Sequence, residues 1–278
     1  MTDHDLTLHL SLPAAGGVPL WRALSGPAMD AAGVLAPGRD RSGGAPVRLA
    51  GTWLGETELG SSDAGRFRPD AEAAVAERLA GLSASGARVV LDVRRQDRLM
   101  EHAHLSLVRS GAVCSFREQF GQPRTPELDW GELAERIAAV PGVAEVTIRP
   151  VELFAEWPGQ LAAHLLRVAG IPGVTPGPAR AAANYTDRGI LVARAMNAHV
   201  ASAAERELVT EFVASLFPGP ETGNLFLDDV LRTGVLAGYA EVNRKMFRSW
   251  LPELPEDAYL DDDRTAALAT RKNQESRP

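Results

Sequence analysis

The chain has 278 residues, 45% of them apolar, enough for one large α/β domain or two small ones with a sizeable core. Its formal net charge of −7 disfavours a nucleic-acid scaffold, because a phosphate backbone calls for a basic face. No apolar run approaches the roughly 18 residues a membrane helix needs, and a single cysteine, Cys114, leaves no partner for a disulfide within the chain. The polar opening Met1–Asp5 lacks a signal-peptide pattern, so the expectation is a cytoplasmic protein without nucleic-acid or membrane partners. Only two lysines occur, Lys245 and Lys272; arginine carries nearly all the positive charge, as in proteins of high-GC genomes.

In chain order, Leu6–Leu12 alternates apolar and polar residues and predicts a first strand. The turn Pro13-Ala14-Ala15-Gly16-Gly17-Val18-Pro19 follows, and Leu20, Leu24 and Ala28 then recur at helical spacing. A glycine-containing turn from strand to helix is the layout of an anion-binding loop, and it is equally the layout of an ordinary turn. Val47–Leu54 predicts a second strand, with Glu56 and Glu58 just beyond it. A carboxylate at a strand's carboxyl end can take a proton from an acceptor hydroxyl; two solvated loop acids would look the same. Asp70–Leu82 predicts an amphipathic helix, with Val75, Leu79 and Leu82 on one side.

The stretch from Arg88 to Gly111 organises the rest. Val89-Val90-Leu91-Asp92-Val93 predicts a buried third strand, Arg94 and Arg95 follow at once, and a helix carries Leu99, His102, Ala103 and Leu107. Strand, arginine, helix is the arrangement of an anion site at the crevice of an open α/β sheet, since the guanidinium fork pairs with phosphate. A pair of arginines capping a surface strand has the same pattern. His102 and His104 stand two apart and so face different ways, which disfavours joint metal ligation; no metal is expected.

Phe116–Phe120 and Gly131–Ala139 predict short helices, the second stopped by Pro141-Gly142, and Val143–Ile148 predicts a fourth strand ending at Arg149. Gln160–Ala169 predicts a helix closed by Gly170, and Ile171–Ala183 a Pro/Gly/Ala-rich loop in which Arg180, with the neighbouring Asn184, is placed to reach a ligand. Gly189–Ala201, Ala204–Phe217 and Leu227–Trp250 predict a helical C-terminal cover, and residues 253–278 read as a mobile acidic and mixed-charge tail. The whole is expected to be a single α/β domain over residues 1–252, with a mainly parallel central sheet flanked by helices.

Several of these residues resemble the sulfotransferases, in particular the bacterial branch with an RRQD-type motif after its third strand. The resemblance rests on Arg94-Arg95-Gln96-Asp97, Ser115–Phe120, Arg149-Pro150-Val151-Glu152, Asn184-Tyr185-Thr186 and Tyr239-Ala240-Glu241-Val242-Asn243, and covers most of residues 5–251. It implies a P-loop-like core and 3′-phosphoadenosine 5′-phosphosulfate (PAPS) as co-substrate. Arg94 would hold the donor's 3′-phosphate, together with a residue eight positions on; the family has serine there and this chain has His102. The loop Ala15-Gly16-Gly17 would hold the 5′ end through backbone N–H groups. The family's loop reads like PKTGTT, and Ala14 stands here at the lysine position. Arg180 and Asn184 would fold over the nucleotide, and Glu56 (Glu58 second) would be the base.

The implied activity is sulfuryl transfer to a hydroxyl or amine of a small-molecule acceptor, in specialised metabolism. The departures at Ala14, Val18 and His102 also fit an enzyme repurposed for another small molecule, with Glu56 or His102 as acid or base, or a non-catalytic partner of a biosynthetic enzyme. The sequence leaves the acceptor and the oligomeric state open.

Overall fold

Val89, Val90, Leu91 and Val93 are all fully buried, as a strand covered on both faces by other elements must be. They belong to β4 (Ala87–Val93), an inner strand of a five-stranded sheet. In the computed structural model, residues 6–11, 47–49, 52–58, 71–81, 86–120, 128–153, 186–218 and 226–275 are described. The strands are β1 (Leu6–Ser11), β2 (Val47–Leu49), β3 (Thr52–Glu58), β4 and β5 (Val143–Pro150), in the spatial order β2-β3-β1-β4-β5. The neighbours among β3, β1, β4 and β5 pair parallel, and β2 lies antiparallel on the outer edge. The expected second strand, Val47–Leu54, is therefore two: the chain reverses at Ala50-Gly51, between β2 and β3.

From β1 the chain moves to β3 on one side and then crosses to β4 on the other. The carboxyl ends of β1 and β4 thus flank the point where strand order reverses, where open α/β sheets leave a crevice.

The helices are α1 (Ala71–Gly81), α2 (Gln96–Arg109), α3 (Phe116–Gln119), α4 (Trp130–Ala138), α5 (Asp187–Asn197), α6 (Ala203–Leu216), α7 (Asp229–Trp250) and α8 (Asp262–Glu275). Several are fixed by local caps. Ser115 caps α3 and Ser202 caps α6 in reciprocal capping boxes with Glu118 and Glu205. Asp129 caps α4 by accepting from the Glu132 N–H. Past α4, Gly142 adopts φ 92°, and its carbonyl receives the N–H groups of Gly86 and Ala87 at 3.0 and 2.8 Å, joining the entries to β4 and β5.

The main core lies between the sheet, α1, α2, α4 and α7, with Leu8, Leu10, Val75, Leu99, Trp130, Ile137, Tyr239 and Phe247 buried in one cluster. A smaller cluster holds α5 and α6 to the far face of α2 through Leu105, Val108, Ile190, Ala193 and Val213. Helix α2 is therefore covered on two sides, which explains why its apolar stripe is wider than that of a surface helix. Among the described residues no helix is long and apolar enough to cross a membrane.

Where composition suggests a loose tail, residues 253–275 form turns and then α8, and they bury Ala258, Tyr259, Thr265 and Leu268. These few residues dock the segment beside the carboxyl ends of β4 and β5, and the surrounding acids mask them in the sequence.

Candidate functional site

Arg94 directly follows β4 at the reversal point, and α2 begins two residues later. Its backbone is fixed from one side, since its carbonyl accepts the indole N–H of buried Trp130 at 3.0 Å. Its side chain is half-buried. Burial pushes the guanidinium below its ordinary pKa, with the charge of Glu152 opposing that shift. No acceptor among the described residues hydrogen-bonds it. A sheltered guanidinium at the point of strand reversal, with five donors and no hydrogen-bonded acceptor among the described residues, is a group ready for an anion.

The next three residues hold the structure together. Arg95 is fully buried and grips Asp97 with two hydrogen bonds, 2.7 and 2.8 Å. It also donates to Asp262 and, at 3.0 Å, to Thr265. Asp97 receives Arg232 of α7 as well, and Arg232 reaches Glu101 at 3.0 Å. Gln96 exchanges two amide hydrogen bonds with Asn243, and its Nε2 donates to the Leu128 carbonyl. Of the two arginines that follow β4, Arg95 is consumed internally, and the anion-binding role expected of Arg94 falls to the one whose side chain has no hydrogen-bonded acceptor among the described residues. The two stretches Arg94–Asp97 and Tyr239–Asn243 meet in space.

His102 lies one face along α2 and is also half-buried. Burial, then the charges of Arg94 and Arg109, lower its pKa to about 3. The Arg94 contribution places the two side chains within electrostatic reach of each other. A neutral imidazole can share an anion with Arg94 as a hydrogen-bond donor. It is a poor general acid at neutral pH, because the proton it would give is absent. His104, two residues on, is fully buried between Phe116 and Phe226, with Nδ1 2.6 Å from Gln119 Oε1. It is a core histidine.

The other expected site residues do not join this cluster among the described residues. Ala15, Gly16 and Gly17, with Ala14 and Val18, lie outside the described residues, as do Arg180 and Asn184. Glu56 lies inside β3, two residues before its end at Glu58, rather than beyond a strand. Register pairs it with His9 of β1, which pairs in turn with Val90 of β4. Four residues of advance and two strand spacings then separate the Glu56 and Arg94 backbones by about 16 Å. A groove of about 470 Å³ lies elsewhere, between α7 and the turn before α8, lined by Arg232, Leu236, Leu260 and Asp262 among others; neither Arg94 nor His102 lines it.

Two neighbours of Arg94 escaped the sequence reading as site residues. Glu152, in the 3-10 turn Val151–Leu153 after β5, accepts the Arg95 N–H at 2.9 Å and the Tyr259 hydroxyl at 2.6 Å. The sequence signal for Glu152 was its place just after a strand's carboxyl end. Tyr259 had none, sitting in an acidic stretch far along the chain. At the base of this turn Arg149 pairs with Asp92 across the β4–β5 register, 2.7 Å from Nη2 to Oδ2, which fixes the two strand ends side by side. Comparison with protein-family models, with curated proteins and with solved structures returns no match.

Proposed function

We propose that the protein is a sulfotransferase-like enzyme that transfers a sulfuryl group from PAPS to a hydroxyl or amine of a small molecule. The observation that carries this reading is the Arg94 guanidinium at the reversal point of a parallel sheet, sheltered and without a hydrogen-bonded acceptor among the described residues, with neutral His102 under its electrostatic influence. Arg94 binds the 3′-phosphate as a fixed charge, and His102 adds a neutral N–H donor. The separation of Glu56 from Arg94 is of the size a nucleotide bound lengthwise would bridge. In the reaction, the acceptor oxygen or nitrogen forms a bond to sulfur while the bond from sulfur to the donor's bridging oxygen breaks. The acceptor's proton passes to Glu56, and adenosine 3′,5′-bisphosphate leaves with the electron pair. Rate depends on positioning and on stabilising charge at the leaving oxygen, as in phosphoryl transfer.

The test is calorimetric titration with adenosine 3′,5′-bisphosphate, beside an Arg94→Ala variant. Micromolar binding that disappears in the variant supports the reading, and absence of binding at millimolar ligand rejects it. One observation favours a second reading: Ala14 stands where the family's loop has lysine. The crevice would then bind an anionic metabolite without sulfuryl transfer. Binding of the bisphosphate with no turnover of PAPS against a panel of phenols, alcohols and amines would select it.

A further inference from the structure

Glu152 exerts the strongest attractive charge on Arg94, yet the two form no ion pair. Both carboxylate oxygens of Glu152 are engaged elsewhere, Oε1 by the Arg95 N–H at 2.9 Å and Oε2 by the Tyr259 hydroxyl at 2.6 Å. We propose that Tyr259 is a positioning residue that keeps Arg94 open to anions by holding the Glu152 carboxylate away from it. This rests on the reading of Arg94 as an anion-binding group, though not on the identity of the anion.

The geometry makes Tyr259 a fixed donor. Its ring is fully buried and meets Phe247 edge to face, centroids 5.0 Å apart, so the hydroxyl cannot follow the carboxylate if it moves. Burial and the neighbouring Glu152 charge push its pKa well up, so the phenol stays protonated and donates at any ordinary pH. The segment that carries it is anchored by the buried Arg95, through Asp262 and Thr265. Without the hydroxyl, Oε2 of Glu152 has lost its donor, and Arg94, next in sequence to the Arg95 N–H that holds Oε1, is a cation with no hydrogen-bonded acceptor among the described residues. A guanidinium–carboxylate pair is the strongest bond either could make, and an incoming anion would have to break it. The residue in the acidic C-terminal segment thus sets the availability of a site in the first half of the sequence.

The test reads Arg94 directly and needs no nucleotide. Phenylglyoxal modifies accessible, unpaired guanidinium groups, and peptide mass spectrometry gives the rate at each arginine; buried Arg95 is the internal control. In Tyr259→Phe the Arg94 rate should fall by about tenfold, the size of one partly buried charge pair. In Tyr259→Phe/Glu152→Gln it should return to the wild-type rate. Mere loosening of the fold would instead raise the rates at both Arg94 and Arg95. An unchanged or faster Arg94 in Tyr259→Phe, or a double variant that stays slow, overturns the proposal. Should Tyr259→Phe fail to fold by circular dichroism, Glu152→Gln alone decides: an Arg94 rate equal to or above wild type is expected, and a slower one overturns the proposal. A wild-type protein that shows this pattern but binds no adenosine 3′,5′-bisphosphate would reject the donor assignment and leave the role of Tyr259 standing.

Discussion

Gln96 and Asn243, 147 residues apart, close a buried amide pair: Gln96 Nε2 donates to Asn243 Oδ1 at 2.8 Å, and Asn243 Nδ2 returns the bond to Gln96 Oε1 at 2.9 Å. The pair fastens the middle of α7 to the first turn of α2, directly behind Arg94. Neither amide has water to fall back on, since both residues are about 2% exposed or less. Asn243→Ala should therefore cost about 2–3 kcal/mol, the desolvation of groups left unbonded together with the lost bonds themselves. Asn243→Asp should destabilise too, because a carboxylate cannot donate to Gln96 Oε1. Urea unfolding of the two variants checks this, and a change under 0.5 kcal/mol would show that the pair is dispensable.

Arg232 closes the second fastening between the same helices. It meets Asp97 and Glu101, which are buried, and burial raises the Glu101 pKa while the hydrogen bond and charge of Arg232 oppose that rise. Arg232→Met should destabilise the fold by about 3–5 kcal/mol, because it leaves buried Asp97 to Arg95 alone and buried Glu101 with only a 4.0 Å cation contact, to Arg98. Adding Glu101→Gln should recover part of the loss. Thermal melts of the single and double variants measure both quantities, and an additive double variant would mean that Arg232 acts through packing instead.

How far this was legible in the sequence depends on whether the cause was local. Arg94 could be found because an apolar β-branched run, a charge and a helical period follow one another without interruption. The short helix over Phe116–Phe120 and the helix stop at Pro141-Gly142 could be placed for the same reason. The division of β2 from β3 was hidden because β-favouring residues stand on both sides of Ala50-Gly51, and periodicity does not report strand direction. The separate fates of Arg94 and Arg95 were hidden as well. Adjacent residues with the same side chain differ here only because Asp97, Asp262 and Thr265 converge on one of them, and two of those three come from the far end of the chain. Tyr259 shows the limit most plainly. Its partner Glu152 is 107 residues away, and its neighbours Glu256, Asp257, Asp261 and Asp262 read as a solvated acidic stretch.

His102 should make stability depend on pH in a defined window. Its folded pKa is depressed to about 3 by burial and by Arg94 and Arg109, against an ordinary value of 6.5. Between these values the unfolded chain binds a proton that the folded chain refuses. The stabilisation is thus complete above pH 6.5 and is lost as pH falls towards 3. His104 is shifted in the same direction, chiefly by burial, and adds to the slope. His102→Gln should flatten the stability–pH curve between about pH 4 and 6.5 relative to wild type, measured by urea unfolding at stepped pH. Identical slopes in the two proteins would mean that His102 titrates normally in the fold. Saturating phosphate or sulfate should also reduce the slope in wild type, because an anion beside the imidazole favours its protonated form.

Arg94 invites the opposite expectation from Arg232. A charge that burial penalises and no hydrogen-bonded acceptor among the described residues compensates costs the folded state free energy, and proteins retain such groups where function needs them. Arg94→Met keeps most of the side chain's apolar volume and removes the charge. It should therefore raise stability by about 1 kcal/mol while abolishing anion binding. The gain should vanish at a saturating concentration of adenosine 3′,5′-bisphosphate, since the ligand stabilises wild type alone. Melting curves with and without the nucleotide separate the two effects. A variant less stable than wild type in the absence of ligand would place Arg94 among the residues that hold the sheet's carboxyl end together, and the anion site would have to be sought elsewhere in the crevice.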